Sequence, residues 1–429
     1  MSLPPGPPAG TESPTYRRNF RALLGDSISF GLAITFASTT TVLPDFIRKL
    51  TDSQVVVGLF STVHSGAWLV PQLFFARYLM NKRRKKPFLV LGTAVGRPAY
   101  LLYALALALG LHDARLALVL LFIAQAMFMG CDSLASVAWF DIYAKAIPVN
   151  RRGRLIGIGQ AVRGVLAFGV GALITLLLSG RGPAFPQNYA AIFGAAGLCL
   201  AASFLFITRI REPDEPIEGG QPAWKDYLPE LLRTLRTDHT FRRLVLVRLL
   251  AGVDSLALYF YITFARDVLQ LAPATVGVYN AVQTLGGILA SVGLGIISER
   301  WGSRRVIQIA TALNVSAPLL GLGLYLAGAP GSPAVAVLYA WAFLVIGIVL
   351  SAAMLGWFNF ALELAPAGRR PVYMGIFNTS AGLFIVLPTL GGWLQQRTSY
   401  GVLFGVTAAV LALAHVLTWR LPAGDAARP

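Results

Sequence analysis

The sequence predicts an all-α protein that crosses a membrane twelve times, built as two bundles of six helices. Three observations carry this. Of 429 residues, 56% are apolar and 13% charged, about half the charged share of a soluble domain. Runs of about twenty apolar residues, long enough to cross a hydrocarbon core of about 30 Å, recur from end to end. The basic residues lie between those runs, so the net charge of +17 reads as membrane topology and excludes a nucleic-acid binder.

Residues 1–16 are rich in Pro and Gly and are expected to be a disordered tail. Spans follow at 18–43, 53–78, 87–110, 114–146, 153–179 and 189–209, forming a first bundle over 17–210. Residues 211–240 are the longest polar stretch. They read as a linker in which Leu228, Leu231, Leu232 and Leu235 share one face of an amphipathic helix on the membrane surface. A second bundle, 241–420, has spans at 241–266, 274–298, 304–328, 332–364, 371–394 and 399–420, before a short tail, 421–429. Gly and Pro within the runs are common in membrane helices. Cys131 and Cys199 lie inside apolar runs and imply neither a disulfide framework nor a metal site.

Alternate loops differ sharply in charge. Arg17, Arg18, Arg21, Lys82 to Lys86, Arg151, Arg152, Arg154, Arg209, Arg211, Arg233, Arg236, Arg242, Arg243, Arg300, Arg304, Arg305, Arg369, Arg370 and Arg420 fall on one side. The other side carries Arg48, Lys49, Arg115, Arg181, Arg266 and Arg397. The positive-inside rule places the first side, with both termini, in the cytoplasm of a plasma-membrane protein.

The two halves repeat each other. Trp139-Phe140-Asp141 returns as Trp357-Phe358-Asn359, an offset of 218 (357 − 139). Pro148 then falls on Pro366, Gly157 on Gly375, Gly164 on Gly382 and Asn81 on Glu299. At an offset of 228 (254 − 26), Asp26-Ser27 and Ile34-Thr35-Phe36 fall on Asp254-Ser255 and Ile262-Thr263-Phe264. Six spans per unit keep both halves in one orientation, related by an axis along the membrane normal.

After the eighth span, Gly295, Glu299-Arg300, Gly302 and Arg304-Arg305 resemble the loop motif Gly-x-x-x-Asp-Arg-x-Gly-x-Arg-Arg of the major facilitator superfamily, with Glu in the Asp position. The first copy, Asn81 to Lys86, keeps only its basic residues. With the repeat and the span count, the resemblance covers about residues 18–420. It implies the family's fold, with a central cavity between rocking halves, and a secondary transporter of a small solute. It also implies an inner gate in which Glu299, Arg300, Gly302, Arg304, Arg305 and Glu363 form a latch in the second half, while Asp141 takes the acid's place beside Lys82 to Lys86.

Ionisable groups at bilayer depth are costly and face a cavity or a partner. Asp26 matches Asp254, His64 matches Gln283 and Gln160 matches Asn378 across the repeat. These six are candidates for the solute and coupling cavity, with Asp132 and Arg163. Arg97 and Asp132 lie roughly 16 Å and 20 Å above the inner ends of their helices, which predicts an ion pair between them. His64, and Asp26 or Asp254 where burial raises a carboxyl's proton affinity, are the titratable candidates, and the expectation is proton coupling through Asp26 or His64, with sodium coupling and uniport as alternatives. Gly157, Gly159, Gly164, Gly169 and Gly171 on the fifth span lack the proline of the family's antiporter signature and read as packing glycines. Trp139 and Trp357, near span ends, read as interfacial anchors.

No nucleophile–base set, metal-ligand cluster or phosphate-binding loop is legible. The expectation is therefore a monomeric, cofactor-free transporter, not an enzyme, with a small-molecule solute, a proton or other coupling ion and the lipid bilayer as partners and no nucleic acid. The alternatives are an exporter of amphipathic compounds and a transporter-like receptor that binds without moving its solute.

Overall fold

The computed structural model describes residues 13–80, 82–213, 233–329, 331–366 and 370–422. The expected surface helix around Leu228 and both chain ends lie largely outside them. Among the described residues, nine stretches are long and apolar enough to cross a membrane. One of them, Thr275–Leu326, is interrupted at Gly302 and so supplies spans 8 and 9. The more polar helices Pro14–Phe36 (span 1) and Gln54–Met80 (span 2) complete twelve. Gly302 has φ 79° and ψ 165°, a region open essentially only to glycine. The motif glycine is thus the turn that lets span 9 start at once.

Span 3 is two helices, Lys86–Gly96 and Pro98–Ala108, hinged where Pro98 removes a backbone donor. Spans 4, 5 and 6 are Ala114–Ala146, Val149–Leu178 and Gln187–Thr208. In the second half, span 10 runs Pro333–Leu364, span 11 Val372–Arg397 and span 12 Tyr400–Thr418.

Besides the hinge in span 3 and a 3₁₀ turn at Gly382–Phe384 in span 11, three elements differ from the sequence reading. Span 1 stops at Phe36, and Val42–Leu50 forms a separate short helix. There Ser38 bonds Thr40, and Thr40 donates across to Gln283 of span 8, while Pro44 cannot donate to continue the ladder. Span 7, His239–Asp267, unwinds into 3₁₀ turns over Gly252–Leu256 and Leu258–Phe260. Gly252 is a poor helix former, and Ser255 Oγ bonds Asp254 instead of backbone. Span 10 carries a π turn at Ala353–Phe358 around Trp357.

The packing distinguishes the two ends of the molecule. At the arginine-poor end one apolar cluster is shared by both halves, with Phe46, Phe60 and Phe193 from the first and Phe264, Tyr279 and Phe404 from the second. At the arginine-rich end each half has its own: Leu23, Leu89 and Ile142 in one, Phe241, Phe360 and Tyr373 in the other. Spans 2 and 11 and spans 5 and 8 make the seams. A Cβ at Gly58 would overlap the Pro388 carbonyl, and one at Gly277 would overlap Gly171 and Thr175. Toward the arginine-rich end the same spans separate: a Cβ at Gly157 or Gly295, on the seam faces of spans 5 and 8, would meet nothing within 4 Å. The halves therefore form a V, closed at the arginine-poor end.

Candidate transport site

Asp26 lies inside the first half rather than on the hole between halves. It is 4% exposed and sits where spans 1, 3, 4 and 6 meet. The hydroxyl of Ser203 donates to it, Trp139 Nε1 donates at 2.7 Å and Arg97 Nη1 stands 3.4 Å away. This corrects two expectations. Arg97 pairs with Asp26 and not with Asp132, and Trp139 binds a buried carboxylate instead of anchoring at the interface. The direction of the side chain about its helix decides the pairing. Gly96 is the residue that faces Cys131 of span 4, and one step along a helix turns the next side chain about 100°, which aims Arg97 at spans 1 and 6.

Asp132 instead has the Trp68 indole of span 2 as its hydrogen-bonding neighbour. His64 accepts at Nδ1 from Gln125 Nε2 at 2.6 Å, and Tyr100 donates to Gln125 Oε1 at 2.5 Å, a relay across spans 2, 4 and 3. Arg163 packs its side chain on Gly31 of span 1.

In the second half, Asp254 lies in the unwound stretch of span 7 and accepts from Ser255 Oγ and Asn314 Nδ2, each at 3.3 Å. Asn314 follows Arg97 by 217 (314 − 97), within one residue of the repeat offset. The two halves thus place a carboxylate in equivalent positions, but only the first gives it a guanidinium. Gln283 accepts from Thr40 Oγ1 of the other half at 2.8 Å, so it belongs to the seam between halves.

Gln160 and Asn378 are both exposed. Each lies four residues before a seam glycine: Gly164 against Ile288 of span 8, and Gly382 against Leu69 of span 2. Residues four apart share a helix face, so both amides face the opposite half one turn beyond the seam, at the throat of the V.

Beyond the seam, crossed ion pairs bolt the arginine-poor end. Arg266 Nε of the second half stands 3.1 Å from Asp45 of the first, and Arg48 Nη2 of the first stands 3.0 Å from Asp267 of the second. Gln54 Nε2 and Tyr400 OH donate to Asp267 at 2.8 and 3.0 Å, and Tyr189 OH donates to Asp45. Burial pushes the Asp45 carboxyl above the usual carboxylate range, against the opposing pull of Tyr189, Arg266 and Lys49. Sequence reasoning counted these arginines only as loop charge. The available signal was that Asp45 with Arg48, just past span 1, and Arg266 with Asp267, at the last turn of span 7, put both signs at the same end of the two halves.

At the arginine-rich end, the first half holds Lys85 Nζ 2.5 Å and Lys145 Nζ 2.7 Å from Asp141. Glu212, expected only as linker, accepts from the Lys85 and Lys86 amides at 2.9 and 2.8 Å, a carboxylate on the positive start of span 3. The second-half latch is not assembled. Glu299 and Arg300 are exposed, Glu363 accepts from Ser303 Oγ at 2.6 Å, Arg304 Nη2 donates to the Trp419 carbonyl and Arg305 Nη1 to Gln308.

The family model described as Major Facilitator Superfamily matches residues 26–387 and, in a second match, 244–428. Among solved structures, the fold is similar to that of the nucleoside transporter NupG (TM-score 0.69, 13% identity, 94% of this chain and 99% of that one). It is also similar to a D-xylose–proton symporter (0.65, 16%, 96% and 98%) and to an inward-facing bacterial homologue of the iron transporter ferroportin (0.68, 13%, 96% and 99%). Uncharacterized proteins of Mycobacterium tuberculosis and Mycobacterium bovis are 27% identical over 283 residues, 65% of this chain and 54% of theirs. The chain thus spans about half the length of the curated relatives it matches.

Proposed function

The chain belongs to the major facilitator superfamily of membrane transporters, and from that premise we propose that it carries a small polar solute by alternating access, driven by protons. The arginine-rich end faces the cytoplasm, so the V is the inward-open form. The observation that carries this reading is the contrast between the ends: crossed ion pairs and a shared core at one, parted helices with Gln160 and Asn378 on facing walls at the other. Amides on both walls suit a solute with hydroxyl or amide groups.

Proton coupling needs a carboxylate whose charge is not already neutralised. Asp26 is held by Arg97, Ser203 and Trp139, which argues against its candidacy. Asp254 is met by no guanidinium; its hydrogen-bond partners are the Asn314 amide and the hydroxyl and backbone N–H of Ser255, and the amide and hydroxyl can serve its protonated form too. The unwound backbone around it is the kind of irregularity that membrane helices keep where they line a cavity.

A panel of nucleosides, pentoses and other small polar metabolites, tested in proteoliposomes with an imposed proton gradient, checks the proposal. Asp254→Asn is expected to abolish gradient-driven accumulation at least tenfold while retaining solute exchange. Accumulation by Asp254→Asn equal to the parent protein would remove Asp254 from the coupling path. Binding without any translocation would favour the receptor alternative.

A further inference from the structure

Two arginines lie within the spans without a counter-charge, Arg163 of span 5 and Arg248 of span 7. Among the described residues neither guanidinium has a salt bridge or a hydrogen bond, and no carboxylate acts on either. Every Asp and Glu within the spans is described. Those at bilayer depth are engaged elsewhere: Asp26 with Arg97, Asp132 with Trp68, and Asp254 with Asn314 and Ser255. A charged side chain at that depth is kept where it meets a partner or a water-filled cavity.

The repeat sets the two charges in matching seams. Spans 1 and 5 of the first half correspond to spans 7 and 11 of the second. Arg163 lies across Gly31 of span 1, one turn above Gly159, which faces Leu24 and Ser27 of the same span. Arg248 lies one turn below Gly252, which faces Phe384 of span 11, and its guanidinium stacks 3.3 Å from the centre of the Phe377 ring. Each half thus carries one guanidinium, on span 5 in the first and on span 7 in the second.

Both reach the throat of the V. Arg163 follows Gln160 by three residues, about 60° around the helix, and Phe377 precedes Asn378. Through the repeat Phe377 falls on Gly159 (377 − 218 = 159). The two guanidiniums therefore differ in level by about four residues, roughly 6 Å. Stacking on Phe377 occupies the flat face of Arg248 and leaves the donors in its plane unused. Its Nη1 is enclosed and has no acceptor. When the halves close over a solute, water leaves. A neutral solute would then leave two charges uncompensated in a dry path. An oxyanion supplies both the negative charge and acceptors in the plane of each fork.

The inference rests on the transport reading above and narrows its solute. We propose that Arg163 and Arg248 form an anion subsite in the path, and that the solute is a small hydroxylated oxyanion, a carboxylate or a phosphate monoester. Its charged group lies on the guanidiniums and its hydroxyls on Gln160 and Asn378.

The test uses the full chain in neutral detergent, titrated with ribose, ribonate or ribose 5-phosphate while thermal unfolding is followed. At least one of the two anions is expected to raise the melting temperature at concentrations where ribose does nothing, and whichever acts separates carboxylate from phosphate. Arg163→Gln and Arg248→Gln should each need at least tenfold more of it, and Arg115→Gln, exposed at the opposite end, should behave as the parent. No response to either anion, a response equal to that of ribose, or unaffected Arg163→Gln and Arg248→Gln proteins overturns the proposal. Should the variants fail to fold, modification of the parent protein by phenylglyoxal decides: the active anion must protect Arg163 and Arg248, and modification that it leaves unchanged refutes the subsite. Proteoliposomes separate this inference from the reading it rests on. Transport of ribose by a protein that binds neither anion removes the subsite and keeps the transporter. Anion binding that needs both arginines, with no translocation, keeps the subsite and removes the transporter.

Discussion

Individual side chains divide into those that hold a half together and those left free to act. The Asp26–Arg97 pair, 5% and 7% exposed at the side chain, is of the first kind. Removing one partner of a buried pair leaves the other charge uncompensated, at a cost of about 3–5 kcal/mol. Arg97→Gln should therefore lower the thermal stability of the purified protein markedly. Asp254→Asn should change it little, because Asn314 and Ser255 can bond an amide as well as a carboxylate. Similar melting temperatures for the two variants would mean that Asp26 and Asp254 play the same role after all. That both aspartates matter was legible in the sequence, since they match across the repeat. Their different environments were not. The offset aligns backbone positions, while the partner of each carboxylate is decided by whether an arginine or an asparagine arrives from the third helix of its own half.

Helices contribute through where they are broken and where they are bare. The breaks in spans 7 and 10 place Asp254 and Trp357 in irregular backbone, and neither break shows in an apolar run, because local hydropathy does not report hydrogen-bond register. The bare positions are the seam glycines. At Gly58 there is no room even for a Cβ against the Pro388 carbonyl, and backbone cannot yield as a side chain can. Gly58→Val should wedge spans 2 and 11 apart at the arginine-poor end and hold the protein open on that side. Labelling of a cysteine introduced at the seam should then become faster, with solute exchange lost. Unchanged labelling with normal exchange would show that the seam does not close in the cycle.

For the molecule as a whole, the crossed pairs Asp45–Arg266 and Arg48–Asp267 tie the end of one half to the other, and their chemistry gives the closure a pH dependence. Burial raises the affinity of Asp45 for a proton in the closed form, while opening returns it to water and to about 3.9. Protons therefore bind the closed form preferentially. Closure is favoured as pH falls through the window between these two values, and that preference is lost as pH rises past the upper one. A spin-label distance across the arginine-poor end should lengthen with rising pH in the parent protein and lose this dependence in Asp45→Asn; a dependence that survives the substitution would place the sensor elsewhere. The sequence by itself determined the twelve spans, the doubled bundle and the family, because hydrophobic length and a fixed repeat offset are one-dimensional properties. Only the tertiary structure decided that Arg97 serves Asp26, that Glu212 caps span 3 and that four ordinary loop charges form a latch. Each of these depends on the direction of a side chain about its helix and on the approach of segments 71 to 221 residues apart, and no spacing along the chain encodes either.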